Sequence, residues 1–304
     1  MNLKTRDSYL VQMSGEIKLV IPKGSLEEQT IKFLKLADLE VIRRSPRDYN
    51  PKIQDFRIST VKVLRPQEIP QYVAAAYFDL GITGLDWVHE TDSDVRIIAE
   101  LPYSKTGSEK VKIVLAVDEQ STINSPLDLK QGSMISTEYP RLAKKYFDQK
   151  GIAAEIFLSY GATEAKVPDI MDGIVELTET GETLKRSGLK VIDVILESTT
   201  VLITNEASYK AKRRSIDDIK TLILGAIDAQ NRALVKMNVP ETKLEAIIGI
   251  LPTMKAPSVA KLYRTDYYAV ESVVAKEQIN ELIPKLKQHG AEDILELPIN
   301  KIVD

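Results

Sequence analysis

The fold of this chain is decided by the stretch Tyr160-Gly-Ala-Thr-Glu-Ala-Lys-Val-Pro-Asp-Ile-Met-Asp-Gly-Ile-Val-Glu-Leu-Thr-Glu-Thr-Gly-Glu-Thr-Leu184. Its second half reads as a short buried strand at residues 173–177, a Thr-Glu-Thr-Gly-Glu-Thr turn and a helical start at Thr183. A strand that ends in a small-residue turn before a helix presents backbone N–H groups and hydroxyls to one point, where the helix dipole also favours an anion. This pattern predicts a phosphate-binding turn.

Other side chains of the stretch suit a sugar phosphate. Gly181 lets the backbone take a positive φ or approach a ligand closely. The hydroxyl donors of the turn are Thr178, Thr180 and Thr183. Upstream, the carboxylates of Asp172 and Glu176 can accept hydrogen bonds from two vicinal sugar hydroxyls, so the stretch predicts a ribose 5-phosphate site. The alternative is an ordinary strand–turn–helix junction, in which the threonines cap the helix and the acids are solvated.

Composition describes a globular protein of more than one domain. With 304 residues, 43% apolar and 28% charged, the chain fits two or three compact units. A net charge of −3 gives no overall basic footprint for nucleic acid. The basic run at residues 210–214 is followed by Asp217 and Asp218, which favours a solvated helix start.

Residue counts exclude several classes of site. The sequence has no cysteine, and its histidines are His89 and His289, so disulfides, thiolate nucleophiles and multi-histidine zinc sites are excluded. Residues 1–16 are polar without an apolar signal core, and no run of about eighteen apolar residues predicts a membrane span. We therefore expect a cytoplasmic protein that binds neither membranes nor nucleic acid.

Residues 17–104 alternate strands with helices, which indicates a parallel sheet with helices on both faces. Ligands of such sheets bind beyond the carboxyl ends of the strands. The turns Pro22-Lys-Gly-Ser25 and Thr83-Gly84 fall at predicted strand ends and are candidate ligand turns.

A polar spacer at residues 105–109 predicts a crossover into a second lobe, residues 105–190, which contains the phosphate turn. The extended segment that follows predicts a return to the first lobe over residues 191–226. We therefore expect an α/β fold with a leader at residues 1–16 and two lobes in a periplasmic-binding-protein-like arrangement. Such a fold alone indicates little about function.

Residues 227–304 predict a separate domain. Their periodicities give the order β-α-β-β-α-β, which is the ferredoxin-like split unit. Pro284 lies inside the last helix and predicts a kink or break there, while Gly290 is placed to end that helix. Because nothing in this domain is typical of catalysis, we interpret it as a regulatory or oligomerising unit.

Recognisable motifs occur in order from about Ile17 to the C-terminus. In the two-lobed part they are Ile21-Pro-Lys-Gly-Ser-Leu26, Leu64-Arg-Pro-Gln-Glu-Ile-Pro-Gln-Tyr-Val73, Asp79-Leu-Gly-Ile-Thr-Gly-Leu-Asp86, Thr137-Glu-Tyr-Pro140 and residues 161–184. In the C-terminal part they are Leu251-Pro-Thr-Met-Lys-Ala-Pro-Ser258 and Gln288-His-Gly-Ala-Glu-Asp-Ile-Leu295. Together they resemble the long form of ATP phosphoribosyltransferase, the family of the first step of histidine biosynthesis.

The resemblance implies that N1 of the ATP adenine attacks C1 of phosphoribosyl pyrophosphate, that pyrophosphate leaves, and that Mg²⁺ is required. The lack of an obvious covalent nucleophile agrees, because an oxocarbenium-like sugar needs positioning and charge stabilisation. Mg²⁺ neutralises the leaving group. It usually keeps several waters, so its protein ligands stay unknown at this point.

The resemblance also implies a phosphoribosyl site, in which Glu176 holds the ribose hydroxyls and the turn at residues 180–183 holds the 5-phosphate. The matching residues are Glu176, Thr178, Glu179, Thr180, Gly181, Glu182 and Thr183. Asp172 is the second choice for the sugar. Glu179 and Glu182 depart from a simple anion site, so they have to point outward or partner Mg²⁺ or another cation.

An ATP site across the cleft is implied as well. Its candidate residues are Lys23, Gly24, Arg65, Asp79, Gly81, Thr83 and Gly84. The alternative for Lys23 and Arg65 is solvated surface charge, and the alternative for Asp79 is a capping role.

The resemblance assigns the C-terminal domain to histidine, a feedback inhibitor that binds between neighbouring subunits of dimers and hexamers. The matching positions are Asn238, Ser258, Val273 and Asp293. A carboxylate such as Asp293 can receive the effector's ammonium, although the core and rim of any ferredoxin-like domain explain these residues equally well.

Two rival functions stay open. A two-lobed cytosolic binding protein would close on a small ligand without chemistry, and it needs no acid followed by a Thr-Gly-x-Thr turn. A ligand-sensing regulator would use the ferredoxin-like unit, but the sequence shows no basic recognition helix.

Overall fold

The computed structural model describes residues 16–103, 110–252, 254 and 256–303. The predicted leader apart from Glu16, and the predicted spacer at residues 105–109, lie outside the described residues. Within the described ranges, none of the helices has both the length and the apolar character needed to cross a membrane.

The strands are β1 (Ile17–Pro22), β2 (Val41–Ile42), β3 (Lys52–Ile53), β4 (Ile58–Leu64), β5 (Leu80–Gly84), β6 (Arg96–Leu101), β7 (Val111–Asp118), β8 (Met134–Thr137), β9 (Glu155–Leu158), β10 (Gly173–Thr178), β11 (Leu189–Ser198), β12 (Thr200–Thr204), β13 (Arg232–Pro240), β14 (Ser258–Lys261), β15 (Tyr267–Ala275) and β16 (Glu292–Pro298). The α-helices are α1 (Glu27–Leu36), α2 (Ile69–Ala74), α3 (Leu85–Thr91), α4 (Pro140–Lys150), α5 (Glu182–Arg186), α6 (Glu206–Gln230), α7 (Leu244–Ile250) and α8 (Lys276–Gln288).

The first sheet has the strand order β4-β1-β5-β12-β6. β4, β1 and β5 are parallel, whereas β12 is antiparallel to β5 and β6. Pro22 at the end of β1 pairs with Leu64 at the end of β4, so the loops after these strands leave from the same edge. The short β2 does not join this sheet and pairs with β3 instead.

The second sheet has the order β11-β7-β10-β8-β9. β10, β8 and β9 are parallel, and β7 is antiparallel to both β10 and β11. Their inward side chains form a core with α4 that includes Ile113, Leu115, Ile135, Phe147 and Val175.

The predicted return to the first lobe at residue 191 is wrong. β11 pairs with β7 from Leu189 to Ser198, so this segment belongs to the second lobe, and the chain re-enters the first sheet only at Thr200. The apolar run at residues 191–203 indicates extended structure but does not specify which strand it pairs with.

The chain divides into two compact units. The first comprises the residues up to Lys32 and Leu39–Lys220, and it contains both sheets described above. The second comprises Phe33–Asp38 and the residues from Thr221 onward. The boundary predicted at residue 227 therefore omits the end of α6 and part of α1.

The second unit contains an antiparallel sheet with the order β14-β15-β13-β16. In chain order these strands are the second, third, first and fourth, which is the ferredoxin-like topology predicted from the sequence. α7 and α8 cover one face, where buried side chains include Val235, Met237, Ile247, Val270 and Leu286.

No break occurs in the last helix, because α8 is continuous through Pro284. Pro284 and Asn280, four residues before it, are both exposed, so water can hydrate the carbonyl that loses its intrahelical partner. Gly290 has φ 98° directly after the helix C-cap His289, as expected of a helix-ending glycine.

Candidate active site

The predicted strand–turn–helix is present at the end of β10. Gly181 has φ 78° and is the N-cap of α5. The Gly181 N–H donates to Thr178 Oγ1 at 2.9 Å, and the Glu182 N–H lies 3.4 Å from Thr180 Oγ1. A hydroxyl that accepts a backbone bond keeps its own hydrogen, so Thr178 and Thr180 still have a hydrogen to donate to a ligand.

A pocket of ≈ 430 Å³ opens beside this turn; we call it the sugar-phosphate pocket. Its lining residues are Glu138, Gly161, Ala162, Thr163, Glu164, Glu176, Leu177, Thr178, Glu179, Thr180, Thr183 and Leu184. Among the residues singled out from the sequence, it brings together Glu176, Thr178, Glu179, Thr180 and Thr183. The pocket is therefore lined by both hydroxyl donors and carboxylate acceptors.

Glu176 lies in surroundings that oppose its negative charge. Burial raises the pKa of its carboxyl, and the neighbouring carboxylates of Glu138 and Glu164 raise it further. Hydrogen bonds from the Leu177 N–H, at 3.0 Å, and from Thr163 act in the opposite direction. Such a carboxyl is held next to the pocket at an energetic cost, which is typical of functional sites.

Two motif acids point away from the pocket. Asp172 precedes β10, whereas Thr178 ends it, and the Asp172 carboxylate accepts the Met134 N–H at 2.8 Å. Asp172 therefore fixes β8 to β10 and is removed from the sugar site. Glu182 points outward, pairing with Arg186 at 3.1 Å with 70% of its side chain exposed.

Lys23, Gly24 and Arg65 come together because β1 and β4 end side by side. The Lys23 ammonium hydrogen-bonds the Tyr49 hydroxyl and lies 4.0 Å from the centre of the Tyr49 ring. Gly24 has φ 92°, and a Cβ there would lie 3.7 Å from Arg65 Nη1. These residues form a basic edge on the first lobe.

Arg65 also lines a second pocket of ≈ 480 Å³ between the two lobes of the first unit. Its lining residues are Arg65, Gln67, Trp87, Glu90, Thr91, Glu138, Pro140, Leu158, Ser159 and Tyr160. Glu138 lines this pocket and the sugar-phosphate pocket, so the two are adjacent. Glu138 belongs to the motif Thr137-Glu-Tyr-Pro140, from which no role for it was predicted.

Three of the predicted ATP residues are structural. Asp79 precedes β5 at its amino end, away from the ligand edge, and accepts bonds from the Lys18 N–H, Ser208 and Lys212 at 2.8, 2.6 and 2.8 Å. A Cβ on Gly81 would lie 2.8 Å from methyl groups of both Ile69 and Val73, so the glycine allows α2 to pack closely against the sheet. The buried Thr83 hydroxyl donates to the Pro66 carbonyl at 2.8 Å. These contacts satisfy the side chains within the fold, and we remove them from the ATP site.

Gly84 lies where the two lobes meet. It lines a small pocket of ≈ 120 Å³ together with Asp86, Trp87 and Ser198. Asp86 accepts bonds from Ser198 at 2.7 Å and from Tyr139 of the second lobe at 3.0 Å, and burial raises its pKa. The Trp87 ring stacks on Tyr139 at 4.5 Å. These contacts hold the lobes at a defined angle around the larger pockets.

In the second unit, the sheet face opposite the helices carries the predicted effector residues. Asn238 donates to Asp293 at 2.8 Å, where Asp293 takes φ 48° at a register shift of β16. Val273 pairs with Leu234 on the same open face, and Ser258 is on β14, separated from β13 by β15. The structure brings Asn238 and Asp293 into contact and leaves Ser258 farther away.

Comparisons with known proteins give consistent results for the two-lobed part and for the C-terminal domain. The family model "ATP phosphoribosyltransferase" matches residues 65–225, and the model "HisG, C-terminal domain" matches residues 229–301. An ATP phosphoribosyltransferase of Thermodesulfovibrio yellowstonii is 45% identical, over 94% of this chain and 98% of the relative. One of Desulforudis audaxviator is 41% identical, over 95% of this chain and 99% of the relative.

A solved structure also resembles this chain. The ATP phosphoribosyl transferase (HisG:HisZ) complex from Thermotoga maritima matches with a TM-score of 0.59 and 27% identity. The match covers 98% of that chain but 68% of this one, so this chain is the longer of the two. With both family models matched in order and a separate ferredoxin-like domain present, the chain belongs to the ATP phosphoribosyltransferase family, in its long form.

Proposed function

We propose that this chain transfers the phosphoribosyl group of phosphoribosyl pyrophosphate to N1 of ATP, the first step of histidine biosynthesis. The adenine N1 lone pair forms a bond to C1 of the ribose, the C1–O bond breaks, and pyrophosphate leaves with its electron pair. The observation that carries this proposal is the sugar-phosphate pocket, where Glu176 lies beside the threonine turn.

In this pocket the turn binds the 5-phosphate. Thr178, Thr180 and Thr183 donate hydroxyl hydrogen bonds, and Gly181 lets the backbone turn without a side chain in the way. The five-residue α5 adds little dipole of its own, so hydroxyls and amides do most of the binding. The ionised Glu176 carboxylate accepts hydrogen bonds from the ribose hydroxyls. These bonds orient the sugar so that its C1 faces the neighbouring pocket.

ATP occupies the second pocket in this proposal. The adenine lies between the lobes, near Trp87 and Glu138, and its triphosphate meets the basic edge of Lys23 and Arg65. Because Glu138 borders both pockets, it faces the point where N1 meets C1. Holding both reactants at this border supplies the rate enhancement mainly through orientation.

The carboxylates of this site are suited to Mg²⁺ only when the phosphates of the substrate supply further ligands. The described residues contain no group of three acidic or histidine side chains close enough to hold a metal. The carboxylates of Glu138, Glu164 and Glu179 do line the sugar-phosphate pocket, and Mg²⁺ commonly binds through one or two carboxylates plus substrate phosphates. When bound, Mg²⁺ neutralises charge on the departing pyrophosphate. Glu179 is our choice for its protein ligand.

The C-terminal domain binds histidine as a feedback inhibitor in this proposal. Support comes from the Asn238–Asp293 contact on the open sheet face, where the carboxylate is placed to receive an ammonium group. Leu295 and Leu297 are exposed on strand β16 of the same sheet at 53% and 39%, which suits contact with a second copy of the chain in a dimer or hexamer.

Ultraviolet absorbance with ATP, phosphoribosyl pyrophosphate and Mg²⁺ tests the reaction, because alkylation at N1 changes the adenine chromophore. We expect turnover by the wild type and a loss of roughly 100-fold in kcat/KM for Glu176→Gln and Thr183→Ala, since each removes a charged or phosphate hydrogen bond. Glu197→Gln, an exposed partner of Lys110, is the control. Ligand binding without any turnover would instead favour the two-lobed binding protein.

A further inference from the structure

A chain of polar side chains lies behind the sugar-phosphate pocket. Lys166 ends the 3-10 turn Thr163–Lys166, and its Nζ donates to Ser159 Oγ at 2.6 Å and to Ser136 Oγ at 3.1 Å. Ser159 Oγ lies 3.0 Å from Thr163 Oγ1, and Thr163 lines the sugar-phosphate pocket together with Glu176, where its hydroxyl lowers the pKa of the Glu176 carboxyl. The three hydroxyls are at most 3% exposed.

The donors and acceptors of this chain fix its direction. A lysine ammonium only donates, and an ionised carboxylate only accepts. Ser159 must therefore accept from Lys166, and Thr163 must give its single hydrogen to the carboxylate of Glu176. The Thr163 oxygen is then free to accept from Ser159, whose hydrogen has the Gly161 carbonyl at 3.2 Å as its other acceptor. When Ser159 donates to Thr163, the bonds that join Lys166, Ser159, Thr163 and Glu176 all point from the cation to the anion, so each polarises the next.

Glu176 needs such support because its surroundings oppose its charge. Glu138 and Glu164 face it from the loop before α4 and from the 3-10 turn, and Glu179 lines the same pocket. The Tyr139 side chain also interacts electrostatically with Glu176. Burial and these acids raise the pKa of Glu176, whereas the Thr163 bond lowers it.

We infer that Lys166 is a positioning residue of the phosphoribosyl site, which orients the Glu176 carboxylate toward the ribose hydroxyls through Ser159 and Thr163. This inference rests on the proposed function. Lys166 touches no reacting atom; it supplies the cation that sets the direction of the hydroxyl chain. Its loss frees Thr163 to rotate, and Glu176 then becomes harder to ionise.

The test measures phosphoribosyl pyrophosphate affinity and the pH profile of kcat/KM for Lys166→Met. We expect an affinity loss of roughly 10-fold, the size of one charge-assisted hydrogen bond, and an acid limb displaced by about half a pH unit or more toward higher pH. Lys166→Arg keeps the cation and should recover most of both. Lys190→Met is the matched control, because Lys190 donates to Ser121 and Asn124 in the same lobe away from this pocket.

A double-mutant cycle separates positioning from a merely structural role, in which Lys166 only ties Ser136 to Ser159. If Lys166 acts through Glu176, adding Lys166→Met to Glu176→Gln weakens binding little further. Additive losses, or an unmoved acid limb, overturn the inference. If Lys166→Met fails to fold, a comparison of Thr163→Val with Thr163→Ser tests the next hydrogen bond of the series in the same way.

The outcomes also distinguish this inference from the proposed function. If Glu176→Gln binds phosphoribosyl pyrophosphate like the wild type, the proposed site itself fails. If Glu176→Gln loses affinity while Lys166→Met behaves like Lys190→Met, the site stands and the positioning role is rejected.

Discussion

At the scale of single residues, Glu176 lies where ionisation of its carboxyl is unfavourable but where the ionised carboxylate can bind the sugar. Burial and two neighbouring carboxylates raise its pKa, yet it must be ionised to accept sugar hydroxyls. A raised pKa in the folded state means that the contribution of this group to stability is fully present below its unfolded pKa. That contribution is lost as pH rises through the folded pKa.

Glu176→Gln should therefore separate stability from activity. We expect the free energy of unfolding of the variant to increase relative to that of the wild type as pH rises from about 4 to 7, because the wild type alone has to ionise a buried acid. We expect the acid limb of kcat/KM in the wild type to lie above the ordinary glutamate value and to disappear with the carboxyl. Urea unfolding at several pH values checks the first part. A stability difference that does not vary with pH would contradict it.

Asp79 provides the opposite case, an acid that is stabilising when charged. Burial opposes its ionisation, but bonds from Lys212, Ser208 and the Lys18 amide outweigh burial and lower its pKa. Asp79→Ala should cost about 3 kcal/mol of stability, since it leaves a part-buried lysine without its partner. The KM for ATP of the folded variant should not change. Glu206→Ala, which removes exposed ion pairs only, is the control. A raised KM for ATP with normal stability would return Asp79 to the ligand site.

At the scale of elements, two glycines are required for different physical reasons. Gly181 has open space around its Cα but a positive φ, whereas Gly81 has an ordinary φ but no room for a Cβ. Gly181→Ala should cost about 1 kcal/mol through backbone strain and weaken phosphoribosyl pyrophosphate binding. Gly81→Ala should cost about 1–3 kcal/mol through overpacking against α2 and leave binding by the folded protein unchanged. Thermal unfolding and substrate titration on both variants check the contrast, and equal effects on binding would contradict it.

Much of this element-level structure could be predicted because its causes are local. The strand, the Thr-Gly turn and the helix start around Thr178 are adjacent in sequence, so periodicity and turn chemistry predict them. The roles of Asp79 and Asp172 could not be predicted from their motifs, because the partners of these carboxylates, Lys212 and the Met134 N–H, are distant in sequence. The Lys166–Ser159–Thr163 chain was not predicted, because it depends on how one loop folds back on itself.

At the scale of the whole molecule, the chain carries two compact units, one with the pockets and one with the ferredoxin-like sheet. Phe33–Asp38 and the end of α6 join the second unit, an assignment that no local pattern indicates. Ile302 illustrates this, since its N–H donates to the Gly225 carbonyl at 2.9 Å across a long stretch of sequence.

This division predicts that feedback can be removed without loss of catalysis. Asp293→Asn keeps the shape of the Asn238 contact but loses the charge that receives an ammonium, so the histidine concentration for half inhibition should rise roughly 10-fold or more. Turnover without histidine should stay at the wild-type rate. Initial rates across a histidine series check this, with Glu296→Gln as a control on the same strand. Unaltered inhibition would place the effector elsewhere.

The most direct test of the central claim is calorimetric titration of Mg²⁺–phosphoribosyl pyrophosphate into the wild type, Glu176→Gln and Glu197→Gln. We expect Glu197→Gln to bind like the wild type and Glu176→Gln to bind roughly 10-fold or more weakly, since one charge-assisted contact is lost. Equal affinity for all three proteins would show that the sugar phosphate binds outside the pocket of Glu176.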